Sequence, residues 1–503
     1  MTGLRQLRLL TLILCSIKSQ RDIRALRICK ELLPLAFSSQ PLFSIKSRYQ
    51  LLSVIDPAVD SEMAGMIADL QTLIRQPSVS AKKQGLVECA GLVSSIMKKA
   101  GISSDVLYLE DRSIPPVVYG EVKSKSNPNK TLLFYNHYDV QPAEPLELWD
   151  AEPFSGKLEG NFIFGRGSAD DKGELITRIK AVEYYLKRTG DLPCNVKFIV
   201  EGEEEVGSVH VEEYLKKYQD RLACDGVIWE FGYVDAKDRP IISLGMKGLL
   251  YVELAARGPS RDAHSSLAVL IENPAWRLVS ALATMRDASG KILIRDWYKE
   301  VRDFTADELD VISREPFDEK EFKEEYGVSE FVAKAQGREI KKALVGMPTC
   351  NIAGLLSGYT DEGAKTVLPS RAMVKIDFRL VPDMIPERQL ERLKAHLKER
   401  GFGDIEVTLI HGEAAARTPI NDPFVRQVEQ AAKETFGTAI ISVSSAGTGP
   451  MHSFAKVLEA PCISVGSTYM FARIHSPNEF ARVDLLNKTT KCIGRILEYF
   501  SAV

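Results

Sequence analysis

The sequence predicts an α/β protein whose first domain is discontinuous, with an α+β domain inserted into it. Three observations carry this. Short apolar runs alternate with segments of helical periodicity from about residue 62 to 230. Over residues 246–417 the texture changes to longer strands of alternating polarity. From 418 to the C-terminus the first texture returns. The division expected is an N-terminal extension over residues 1–62, the first part of the α/β domain over 63–245, the insert over 246–417 and the second part over 418–503.

Taken in order, Met66, Leu70, Leu73 and Ile74 recur at helical spacing, and residues 85–100 continue as a second helix. Thr131-Leu-Leu-Phe-Tyr-Asn-His-Tyr-Asp is an apolar run ending in polar groups, which reads as a buried strand with His137 and Asp139 at its exit. Gly165-Arg-Gly-Ser-Ala-Asp-Asp-Lys-Gly leads into a helix carrying Leu175, Ile179, Val182 and Leu186, so Asp170 and Asp171 lie near a helix start. Further buried strands run into Glu201-Gly-Glu-Glu-Glu-Val-Gly-Ser and into Glu230. In the insert, residues 248–256, 372–380 and 405–410 read as strands, with two helical stretches, one highly charged between Glu300 and Lys342. The last part offers a helix over 424–436, a strand over 461–465 and a closing amphipathic helix over 484–500.

Composition narrows the function. With 503 residues, 45% hydrophobic and 26% charged, the chain is expected to be a soluble globular protein of two or three domains. A net charge of −3 gives no basic surface for nucleic acid or acidic lipid, leaving small molecules or peptides as partners. No apolar stretch reaches the 18 residues or so of a membrane span. The eight cysteines, Cys15 and Cys29 among them, show no metal or disulfide spacing, which suits reduced thiols in the cytoplasm. Residues 1–50 hold nine Lys/Arg against two acids around the apolar run from Leu9 to Leu14. This is either a targeting segment, a disordered tail, or a stretch upstream of a true start at Met63 or Met66.

A hydrolytic metal site needs ligands from several elements, an activated water and a base. His137 and Asp139, two apart, would share one face of a strand, letting the carboxylate orient the imidazole. Asp170 beside Asp171 is costly unless the pair is solvated, caps the helix or is neutralised by cations. Glu203, Glu204 and Glu205 follow a buried strand between Gly202 and Gly207, which suggests a shaped turn in which one Glu binds metal and its neighbour acts as base. A solvated acidic loop is the alternative. The Gly165 segment half-matches a dinucleotide fingerprint, but Asp occupies its sixth position. No GxSxG elbow, HExxH pair or Walker A loop is present.

In order, His137-Tyr-Asp-Val-Gln-Pro, the Gly165 and Glu201 segments, Glu230, Asp262-Ala-His264-Ser and His475-Ser-Pro-Asn-Glu479 resemble the M20 metallopeptidases. The resemblance covers about residues 63–503 and is nearest to the cytosolic nonspecific dipeptidase and carnosinase branch. It implies a catalytic domain with a mixed sheet and helices on both faces, and an insert serving as lid and dimerisation domain of a homodimer. It implies two divalent metal ions per subunit, zinc first, with manganese or cobalt also admitted by such ligands. Asp170 would bridge them, with His137 and Glu230 on one ion and Glu205 and His475 on the other. Asp139 would orient His137, and Glu204 would be the general base acting on a bridging water. His264 would steady the transition state from the partner subunit. Arg379 would hold the substrate's terminal carboxylate, a role suited to its bidentate fork, with Thr366, His411 and Thr448 as further substrate contacts. A cis peptide between Asp170 and Asp171 is implied as well.

Two departures bear on substrate. Glu230 stands where this branch usually has Asp, and Ser444-Ser-Ala-Gly-Thr-Gly-Pro differs from the Arg-Glu-Gly-Gly-Ser pattern of animal dipeptidases. The activity expected is hydrolysis of dipeptides or short peptides with a free C-terminal carboxylate. An N-acyl or N-succinyl amino acid deacylase is the alternative enzyme, and an inactive binding homologue the alternative without catalysis.

Overall fold

The computed structural model describes residues 55–502. The targeting, disorder and start-site expectations for residues 1–50 lie outside the described residues, as do Cys15 and Cys29. The described chain opens with helices α1 (Ile55–Ser61), α2 (Met63–Ile74) and α3 (Leu86–Lys99). Residues 55–61 of the expected extension are thus helical, with Ile55, Ala58 and Val59 buried. A Cβ at Gly494 would lie 2.3 Å from Ile55 Cδ1, so the absent side chain there is what admits Ile55 to the core.

Eight strands build the main sheet: β1 (Ser103–Leu107), β2 (Val117–Val122), β3 (Thr131–His137), β4 (Asn195–Glu201), β5 (Gly226–Trp229), β6 (Ile241–Ser243), then beyond the insert two more. The insert contributes β7 (Gly248–Arg257), β8 (Asn351–Ser357), β9 (Arg371–Leu380) and β10 (Glu406–Glu413). The chain returns with β11 (Ile440–Ser442) and β12 (Cys462–Ser464). The spatial order of the main sheet is β1-β2-β4-β3-β5-β12-β6-β11. It is mixed: β3 lies parallel to β4 and β5, and β12 parallel to β5, whereas β1, β2 and β4 pair antiparallel.

The apolar runs are continuous because both faces are buried. Along β3, Leu132 and Phe134 enter one core, with the long helix α4 (Lys172–Thr189), while Leu133 and Tyr135 enter the opposite one with α5 (Val211–Lys217). The helices on both faces expected from the sequence are therefore present.

The insert's sheet has the order β8-β9-β7-β10, antiparallel throughout. Ala372, Val374, Ile376, Phe378 and Leu380 alternate inward along β9, and α6 (Pro274–Ala283) packs over that face. The charged region expected as one helical stretch is three helices, α7 (Ala306–Arg314), α8 (Glu319–Tyr326) and α9 (Arg338–Gly346). Pro316 cannot continue α7, and Gly327 at φ +63° closes α8. Helix α10 (Pro386–Glu399) completes the insert, and α11 (Pro423–Phe436), α12 (Met451–Leu458) and α13 (Val483–Ser501) cover the returning strands. Among the described residues no helix is long and apolar enough to cross a membrane.

Strand β4 exits through Gly202, where an added Cβ would sit 2.3 Å from the Tyr138 hydroxyl and 2.4 Å from its ring. That hydroxyl donates to the Pro116 carbonyl at 2.6 Å, so the ring has little freedom to yield. Gly202→Ala is expected to lower stability by roughly 1–3 kcal/mol, the range of overpacked sites. Urea unfolding measures this, and an unchanged midpoint would contradict the packing described.

Candidate metal centre

Acidic and imidazole groups converge beyond the carboxyl ends of β3, β4 and β5, where ligands of α/β sheets gather. His137 closes β3, Glu204 and Glu205 open the short turn after β4, and Glu230 directly follows β5. Asp170 precedes α4, and His475 lies on a loop at φ +59°.

The Asp170 carboxylate stands between the two imidazoles. Its Oδ1 lies 3.1 Å from His137 Nε2 and its Oδ2 lies 3.1 Å from His475 Nε2. His475 Nε2 is also 3.0 Å from Glu205 Oε2, and His137 Nε2 is 4.0 Å from Glu230 Oε2. Asp170, Glu205 and His475 could therefore surround one cation, and His137, Asp170 and Glu230 a second, with Asp170 common to both.

A frame of hydrogen bonds holds these groups. Asp139 lies past the end of β3, so a loop, rather than the pleat of a strand, sets its relation to His137. Its carboxylate lies 3.4 Å from His137 Nδ1, its backbone carbonyl 3.1 Å from the same atom, and it accepts the Glu204 and Glu205 amides at 3.2 and 3.1 Å. Asp171 accepts from Asn136 Nδ2 and from the His137 amide, and the Asp170–Asp171 peptide is cis. Buried Glu479 accepts the amides of Gly167, Ala169 and Asp170 and pairs with Arg166 at 2.7 Å, fixing the Asp170 loop. Gln141 donates to Glu205 from its amide and its side chain. Sequence reasoning assigned no role to Glu479 or Gln141. Each stands four residues after a candidate ligand, Gln141 after His137 and Glu479 after His475, which is the one signal that points to them.

Charge balance tests whether cations fit here. Among the described residues, the ion-pair partners of Asp170, Glu205 and Glu230 are histidines, and Glu204 has none. Glu230 is 2% exposed, and its Oε2 has no hydrogen-bond partner. Burial pushes the Glu204 and Glu230 carboxyls well above the usual range, reinforced by neighbouring carboxylates. The Asp170 and Glu205 carboxylates push His475 up to about 10. Burial opposes protonation of His137, but the hydrogen bonds its ring donates to Asp139 and Asp170 outweigh it and raise that group too. Without cations the centre must collect protons, and a set of hard carboxylate and imidazole donors with an orphaned buried oxygen is what divalent ions satisfy.

The neighbouring cavity, about 440 Å³, is lined by Asp170, Glu204, Glu230, His475 and Thr448 among others. Arg379 Nη1 donates to Thr448 Oγ1 at 2.6 Å, which sets a cation at the cavity's margin. Lys247, 3% exposed, is a buried cation near Arg379: its ammonium donates to the Met347 carbonyl, and burial, with Arg379 and Arg417 nearby, pushes it down to about 8. Lys247 carried no signal in the sequence. The His411 ring packs against Gly207, at the end of the Glu204 turn. His264 and Thr366 are not brought to this cavity. They lie together at an exposed corner, where the Ser265 amide donates to the Thr366 carbonyl and His264 Nδ1 contacts Ser266.

Fold and site together define a class: α/β proteins with a histidine and carboxylate centre at the strand ends and an inserted second sheet. Residues 133–499 match the model of peptidase family M20/M25/M40. The chain belongs to that family and is a metallopeptidase. It is 29% identical over 376 residues to the human Beta-Ala-His dipeptidase, covering 73% of this chain and 74% of that protein. To the Cys-Gly metallodipeptidase dug1 of Schizosaccharomyces pombe it is 30% identical over 362 residues, covering 69% and 75%. The crystal structure of an M20 family metallo-carboxypeptidase from Sulfolobus solfataricus superposes with a TM-score of 0.83 at 36% identity, covering 87% of this chain and 99% of that one.

Because His475 in the ion-free site stays protonated below about pH 10, divalent metal binding at pH 7 must expel at least that proton. Affinity is expected to rise with pH up to that value. Calorimetric titration of zinc in buffers of different ionisation enthalpy measures the release, and heats independent of buffer would contradict it.

Proposed function

We propose that the protein hydrolyses dipeptides or short peptides that end in a free carboxylate. The observation that carries this is the pairing, on one cavity, of the Asp170 centre with the Arg379–Thr448 contact. Relatives named for Beta-Ala-His and Cys-Gly dipeptides support the substrate size, and one named as a metallo-carboxypeptidase supports the carboxylate end.

In this reading Asp170, His137 and Glu230 hold one divalent ion, and Asp170, Glu205 and His475 the other, zinc first and manganese or cobalt also admitted. When bound, such ions polarise the scissile carbonyl and lower the pKa of the attacking water. Glu204, adjacent to Glu205 yet outside both ligand sets, takes the proton of that water and delivers it to the leaving amine. Asp139 keeps His137 oriented. Arg379 grips the terminal carboxylate, with Thr448 and His411 as further substrate contacts.

His264 and Thr366 act on the cavity of a second copy, a role supported by their exposure here. A homodimer is further supported by Ile352, Leu355 and Leu356, half-exposed on the edge strand β8. Residues 246–417 then form the lid and dimerisation domain, and 63–245 with 418–503 the catalytic one. The unpaired thiols among the described residues suit a cytoplasmic location.

Glu204→Gln is expected to keep its full metal content and lose at least ~100-fold in kcat, the scale of a general base. Undiminished turnover would contradict the assignment. Arg379→Met should lower kcat/KM on dipeptides by about 10- to 100-fold, as expected for a lost charge-assisted hydrogen bond. A panel of dipeptides against N-acetyl and N-succinyl amino acids tests the substrate class. Activity confined to the acylated set would establish a deacylase instead.

A further inference from the structure

Four carboxylates line the cavity, Asp170, Glu204, Glu230 and Glu315. In the proposed function the first three are committed to cations or to proton transfer. Glu315 comes from the insert, where it caps the C-terminal end of α7 just before Pro316. It reaches the main sheet, accepting from Ser442 Oγ on β11 at 3.1 Å. Its side chain is 6% exposed, and its other oxygen lies 2.8 Å from Lys341 Nζ on α9. Leu344 and Val345 of α9 line the same cavity, and Ser444, Ser445 and Thr448 offer it hydroxyls but no charge.

A dipeptide brings two charges into such a cavity. Its carboxylate has Arg379, while its α-ammonium, once desolvated, needs an acidic acceptor of its own. Glu315 is the lining carboxylate left for that purpose, and its contact with Lys341 shows that it already accepts an alkylammonium. We propose that Glu315 is the specificity-determining residue that receives the free α-ammonium of the substrate, so that the site selects unblocked dipeptides over N-acylated ones. This rests on the dipeptidase reading above. It makes the insert a source of substrate recognition, because the acceptor arrives on α7 rather than on the sheet that carries the cation centre. Ser442 holds one Glu315 oxygen from β11, and Lys341 holds the other until an arriving ammonium shares it.

The test compares kcat/KM for Ala-Leu with that for N-acetyl-Ala-Leu, on the metal-loaded full chain and on Glu315→Gln and Lys341→Gln. Glu315→Gln should raise KM for Ala-Leu and cut its kcat/KM about tenfold or more, the scale of a lost hydrogen bond between charged groups, with N-acetyl-Ala-Leu changed less than about twofold. Metal content should be unaltered. Lys341→Gln should leave Ala-Leu turnover intact or improved, since it removes only the competing cation. Equal losses on both substrates, or the same loss in Lys341→Gln, would overturn the proposal and leave Glu315 as a tie between α7, α9 and β11. If Glu315→Gln does not fold, Glu315→Asp keeps the charge but shortens the reach, and it should raise KM for Ala-Leu alone; an unchanged KM would overturn the proposal. A wild-type protein that cleaves no dipeptide refutes the dipeptidase reading itself, whatever the variants do.

Discussion

The Asp170 carboxylate, placed 3.1 Å from an imidazole on either side, is the constraint on which the rest of the site depends. Glu204, Glu205 and Glu230 crowd the same space, and no lysine or arginine among the described residues pairs with any of the four. Like charges at this spacing cannot all stay ionised in a buried site without cations. The surrounding framework therefore works against repulsion. Glu479 gathers three loop amides and Arg166 behind Asp170, while Asp139 gathers the amides of Glu204 and Glu205. These backbone contacts fix where the charges stand before any ion arrives, which is how rigid metal sites are prepared.

Around that centre the two sheets divide the labour. The main sheet, buried on both faces, places the ligand loops at its strand ends. The insert brings in Arg379 and Glu315, which meet Thr448 and Ser442 beside the same cavity. Thr448 and Ser442 belong to the main body and bond to these two residues, so in the proposed function substrate recognition is assembled across the junction of the two parts. Lys247, enclosed between Gly447 and Met347, ties that junction together.

Much of this was legible in the sequence, for reasons that can be named. Strands β3, β4 and β5 are buried on both faces, so they read as unbroken apolar runs, and the polar residues that end them stand out as site candidates. Repeated acids such as Glu203 to Glu205 were ambiguous alone and became specific through motif order. The charged stretch between Glu300 and Lys342 reads as one helical stretch because its charge density masks the breaks at Pro316 and Gly327. The packing of α1 was missed because its few apolar residues adjoin a basic segment, and its socket at Gly494 lies at the far end of the chain. Gln141 and Glu479 stand inside the motifs, but their tasks, like those of Lys247 and Glu315, leave no local signal, since a buried polar group looks like a solvated one until tertiary structure surrounds it. His264 and Thr366 form a pair in space, but one that this chain alone does not bring to the cavity.

In the proposed centre the Asp170 carboxylate serves two cations. Metal analysis of the purified protein by mass spectrometry, with His475→Ala alongside wild type, tests it most directly. Two divalent ions per wild-type chain, falling to one in His475→Ala with His137 and Glu230 intact, is the result expected. A single ion per wild-type chain, saturating under zinc excess, would contradict it.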